Sequence, residues 1–248
     1  MIEGNLQTVI GVATAMMFGG FCKGASGISL ALISVSLAAI FVDISIAVAL
    51  MTVPVLIANI WQVGSNKFTS EVWNFHWPLY LAITPGVGIG AKVLTSVDPF
   101  LVSGIVGIIV ISFAILIYTQ PKWKLSTPTA RRFSVPTGFI GGLVGGISGF
   151  LPPVLMYMVA LKLPKEKFIA AIGIAYLTGV LALMVFLATY NFLTWQIILW
   201  SALAALPMFA GQLAGHKARQ RIAEKPFRLM VLILMLLSGA NLIRKAFS

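Results

Sequence analysis

The chain has 248 residues, 59% hydrophobic and 9% charged, with a mean hydropathy of +1.01. Soluble domains carry nearer a quarter charged residues, so this inventory cannot cover a water-facing surface. The net charge of +11 would point to nucleic acid in a soluble protein, but here the cations sit mostly in short loops between apolar runs, the pattern of topology determinants beside an anionic leaflet. Residues 1–248 are therefore expected to form a single transmembrane domain. Its partners are a lipid bilayer and a small solute, with no nucleic acid; a homo-oligomer is left open.

The first residues carry Glu3 but no Lys or Arg, so this end is expected to be mature protein rather than a cleaved signal. Apolar residues 6–42 follow, too long for one span. Ordinary spanning helices are predicted over 44–63, 75–95 and 100–119. A basic linker, 121–133, leads into a second unusual run, 134–163, interrupted by glycines and by Pro152-Pro153. Three further spans are predicted over 168–189, 193–214 and 228–244. Trp61, Trp73, Trp77, Trp123 and Trp195 fall near run ends, as interfacial aromatics do. Cys22 is the single cysteine, and His76 and His216 are far apart near segment ends, so neither a disulfide framework nor a metal site nor any cofactor is expected.

The two unusual runs resemble each other. Residues 19–27 read GGFCKGASG and 141–149 read GGLVGGISG, with five identities in nine positions at a shift of 122 that Pro85 and Pro207 share. This predicts a tandem duplication, 1–120 and 134–248, joined by the linker 121–133. Chance similarity between glycine-rich membrane helices is the alternative.

Charge placement bears on how each unusual run is threaded. If each crossed once, the loop with Lys122, Lys124, Arg131 and Arg132 would lie opposite the loop with Lys217, Arg219, Arg221, Lys225 and Arg228, against the positive-inside rule. If each is a hairpin that enters and leaves on one side, thirteen basic residues face the cytoplasm and Lys92, Arg244 and Lys245 face outward. The predicted fold is therefore an all-α integral membrane protein of two inverted repeats. Each comprises one broken or re-entrant helical hairpin and three transmembrane helices, an architecture of many secondary transporters. Both termini would be extracytoplasmic.

The first hairpin tip, Phe21 to Gly27, lies mid-run, so it should sit deep in the membrane, where irregular backbone survives only against protein or a polar cavity. Glycines there free N–H groups, and the following helix start favours an anion. Lys23 is the cation farthest from any loop, and an intramembrane charge costs at least about 2.5 kcal/mol. With Gly24, Ser26 and Gly27 it forms a candidate oxyanion site; snorkelling or a structural ion pair is the alternative for Lys23. The second tip offers Gly146, Ser148 and Gly149, for which helix packing is the competing role. Asn59 and Gln62 share a helix face and could donate to a substrate or bond between helices. Tyr176 ranks below them. All six acids, Glu3, Asp43, Glu71, Asp98, Glu166 and Glu224, lie at segment ends or in loops, so neither a carboxylate proton relay nor an enzymatic nucleophile–base pair is expected.

The stretch Gly20 to Gly27, with Pro54, Asn59, Gln62 and the second glycine-rich copy at 141–149, resembles the sulfite exporter TauE/SafE family of membrane permeases. The likeness covers both halves, and Lys23, Gly24, Ser26, Gly27, Asn59 and Gln62 match its pattern; the double proline 152–153 does not align with it. The resemblance implies export or exchange of sulfur-containing anions such as sulfite, sulfoacetate or other organosulfonates, across a bacterial inner membrane. A non-transporting scaffold or complex subunit is the competing function.

Overall fold

The computed structural model describes residues 5–26, 30–64, 70–119, 123–218 and 224–247, and these contain helices and no strand. Among the described residues, six stretches are long and apolar enough to cross a membrane: Leu6–Ala25, Ile44–Gly64, Ser70–Ser96, Pro99–Thr119, Glu166–Thr189 and Trp195–Ala218. Large side chains such as Leu81, Ile108, Val185, Leu206 and Leu237 are more than half exposed. A soluble surface does not carry apolar chains at that density, so these face lipid.

The chain forms two compact units, Met1–Pro54 with Val97–Thr119 and Leu193–Ser248, and Val55–Ser96 with Gln120–Phe192. Neither coincides with a sequence half. The first holds α1 (Leu6–Ser26), α2 (Leu30–Ala38), α3 (Ile44–Leu50), the first turn of α4 (Thr52–Gly64), α6 (Pro99–Thr119), α10 (Trp195–Ala218) and α11 (Glu224–Lys245). The second holds the rest of α4, α5 (Ser70–Ser96), α7 (Thr127–Ser148), α8 (Pro152–Ala160) and α9 (Lys165–Thr189).

Both unusual runs turn back on themselves, since α1 packs on α2 and α7 on α8. Their arms are unequal. α1 and α7 have 21 and 22 residues, while α2 and α8 have nine each, about 14 Å of helix and less than half the hydrocarbon core. Local chemistry sets the second turn. Gly149 takes a left-handed conformation at φ 79° and returns its N–H to the Gly145 carbonyl, closing α7. Pro152 and Pro153 then start α8, where a missing N–H has no consequence.

The predicted span 44–63 is broken at Met51 into α3 and α4. Pro54 has no N–H for the Leu50 carbonyl four residues earlier, so the helix cannot continue its ladder there. Ser201 of α10, fully buried, repairs the break: its Oγ donates to Leu50 O at 2.8 Å and accepts from Val53 N at 3.1 Å. The predicted span 228–244 is helical and lies within α11, a helix of 22 residues.

Glycines seat each long hairpin arm against its partner helix. In the first unit, α1 lies against α10 so closely that a Cβ on Gly20 or Gly24 would strike the Met208 or Gln212 carbonyl. In the second, α7 lies against α5, and a Cβ on Gly142 or Gly146 would strike the Ile83 or Val87 carbonyl. The two crossings correspond pair by pair. Gly142 and Gly146 follow Gly20 and Gly24 by 122 positions, but Met208 and Gln212 follow Ile83 and Val87 by 125. The sequence pairing of Pro85 with Pro207 is therefore incorrect: in the packing register Pro85 matches Ala210, and Pro207 matches Ala82. The two registers differ by three residues, nearly one helical turn. Another offset appears in α6 and α11, where a Cβ on Gly107 would lie 2.7 Å from Gly239 O and one on Gly239 3.1 Å from Gly107 O, a register of 132.

Candidate substrate site

Lys23 occupies the last turn of α1, a helix long and apolar enough to span, and is partly buried. It forms no hydrogen bond or ion pair with a described residue. Other cations are placed differently: Lys167 bridges Glu71 at 2.8 Å, Lys245 donates to Ala39 O at 2.6 Å, and Lys92 lies 4.9 Å from the Tyr190 ring. Its neighbour Gly24 serves the α1–α10 crossing. Gly27 and the Ser26 side chain lie outside the described residues.

The other candidates belong to the second unit. Asn59, 5% exposed, turns its Nδ2 back on Val55 O at 2.8 Å, within its own helix. Gln62 donates from Nε2 to Ile169 O at 3.1 Å and so ties α4 to α9. Close by on α9, a Cβ on Gly173 would lie 3.2 Å from that Nε2, and one on Gly179 would lie 3.1 Å from Leu151, just past the second tip. Tyr176 stands between these two glycines on α9. The structure therefore brings Gln62, Tyr176 and the second tip onto one helix.

At that tip the polar groups are already engaged. Ser148 is fully buried, its Oγ 2.7 Å from Val144 O and 3.3 Å from Phe150 O, so its single proton is held by backbone. Gly149 is the cap of α7, and Gly146 seats that helix on α5. Helix packing, the competing role weighed for the second tip, is what Gly146 does here, and Gly24 does the same in the α1–α10 crossing.

The burial of two polar residues went unread in the sequence. His76, near the start of α5 as expected, is 1% exposed in its second turn, its ring 6.0 Å from Tyr80 and 6.2 Å from Tyr157. Its Nδ1 has no hydrogen-bond partner among the described residues. Gln212 on α10 has a buried Oε1 in the same condition. No sequence signal isolates either, because burial here depends on which helix crosses which. Among the described residues no cluster of three or more His, Cys, Asp or Glu side chains forms.

Comparison with known proteins gives one result. The family model described as sulfite exporter TauE/SafE matches residues 12–242, nearly the whole chain. No curated protein and no solved structure gives a significant match.

Proposed function

The chain belongs to the sulfite exporter TauE/SafE family, and from that premise we propose that it is a permease for a small sulfur-containing anion: sulfite, sulfoacetate or another organosulfonate. It works in the direction of export, by alternating access between inverted repeats. As a multi-pass protein of a transporter family it acts on the position of its solute, not on its covalent bonds. The bacterial inner membrane is its proposed location, with both termini on the extracytoplasmic side.

Lys23 carries this reading. An ammonium on a spanning helix with no described counter-charge is suited to a mobile anion, whose oxygens accept several charge-assisted hydrogen bonds. The recurrence of one glycine-seated crossing in both halves supports the repeat, and the basic residues within 121–133 and 217–228 support opposite insertion of the halves. Energetics favour export. A monoanion leaving a cell that is negative inside gains about 2.3 kcal/mol per 100 mV, so no proton-carrying carboxylate is required.

The test is reconstitution of the purified protein in vesicles with radiolabelled sulfite and sulfoacetate on one side. The account expects label to cross chemically unchanged, well above protein-free vesicles. Vesicles in which no label crosses would favour a scaffold, and a changed chemical species would reveal an enzyme.

A further inference from the structure

The two glycine-seated crossings share their backbone geometry but not their side chains. In the α1–α10 crossing, the Gln212 backbone is wedged between Gly20 and Gly24: a Cβ on Gly20 would lie 3.1 Å from Gln212 N, and one on Gly24 3.0 Å from Gln212 C. That places Gln212 level with the turn of α1 that carries Lys23. In the matching α7–α5 crossing, Gly145 stands where Lys23 does and Val87 where Gln212 does. The same backbone crossing thus forms in the second unit with an aliphatic side chain at the corresponding position. Yet the amide is present, and its Oε1 is buried with no hydrogen-bond partner among the described residues. A buried acceptor left in that state costs about 1–3 kcal/mol, which a bound solute can return.

We propose that Gln212 is a second substrate-contacting residue and that it selects sulfur oxyanions bearing a hydrogen-bond donor. The proposal rests on the reading of the chain as a permease for such anions with Lys23 as counter-charge. The two side chains are complementary. Lys23 offers only donors, which suit sulfonate or sulfite oxygens; the Gln212 Oε1 offers an acceptor, which suits a hydroxyl, an amine or the proton of a hydrogensulfite. A solute with acceptors alone would set its lone pairs against Oε1 and leave it unpaired. Sites built around a hydrogen-bonding partner reject analogues that lack it more strongly than apolar pockets reject a missing methylene.

The experiment uses the full-length protein in vesicles and measures inhibition of labelled sulfite flux by two competitors of similar shape, 2-hydroxyethanesulfonate and propane-1-sulfonate. The wild type should be inhibited at roughly 10- to 100-fold lower concentration by the hydroxylated compound. In Gln212→Val, the residue of the matching crossing, and in Gln212→Met, of similar length, the ratio should fall below about 3-fold. A wild-type ratio near one, competition by neither compound, or an unchanged ratio in the variants would each overturn the proposal. Because the wild-type ratio decides by itself, a variant that fails to fold does not rescue it. Full sulfite flux through Lys23→Ala would instead count against the permease mechanism on which this inference stands.

Discussion

Polar side chains inside this protein divide by whether a backbone group engages them. Ser148, Asn59 and Ser201 each hand their proton to a carbonyl, at 2.7 to 2.8 Å, and Gln62 reaches across to Ile169 O. The buried Gln212 Oε1 has no such partner among the described residues, and no backbone group among them engages Lys23, which is partly buried. Ser201 shows what an engaged group is for: at the α3–α4 break it donates to the Leu50 carbonyl that Pro54 leaves without a helical donor, and it accepts from Val53 N. Ser201→Ala should leave Leu50 O and Val53 N unpaired and destabilise the protein by about 1–3 kcal/mol. A thermal melt of the purified variant in detergent measures this, and an unchanged midpoint would mean the break is satisfied in another way. Lys23 could be singled out from sequence because charge is rare in an apolar run. Gln212 could not, since an amide near the end of a predicted span is unremarkable until its neighbours are known.

At the scale of elements, backbone contact between helices organises each unit. A Cβ on Gly142 would meet the Ile83 carbonyl, whereas Gly64 at the end of α4 has nothing within 4 Å of its Cβ position. Gly142→Ala should therefore force α7 off α5 and sharply reduce the yield of folded protein. Gly64→Ala should be neutral or stabilise slightly, because alanine is the better helix former. Membrane yield and melting of the two variants side by side measure the contrast, and equal behaviour would contradict the packing described. That both unusual runs turn back was legible in the sequence, but their tips were not: Phe21 to Ser26 continue α1, and Gly146 and Ser148 lie in α7, so these residues keep helical backbone rather than freeing their N–H groups. The partner helices were not legible either. The glycines of α10 follow those of α5 by 125 residues rather than 122, so at the spacing of the tips Gly211 and Gly215 fall opposite Ile89 and Val93 instead of Gly86 and Gly90. The break at Met51 was also hidden, because its cause, Pro54, lies three residues beyond it.

For the whole molecule, two helix crossings share one glycine-seated geometry and differ in their chemistry. Where one has Lys23 and Gln212, the other has Gly145 and Val87. A symmetric scaffold has no use for that difference, while a permease that binds one anion at one charged position does. The most direct test compares labelled sulfite flux through wild type, Lys23→Arg and Lys23→Ala in vesicles, normalised to folded protein. The account predicts flux at the level of protein-free vesicles for Lys23→Ala and partial flux for Lys23→Arg, which keeps the charge but not the compact ammonium. Wild-type flux through Lys23→Ala would contradict it.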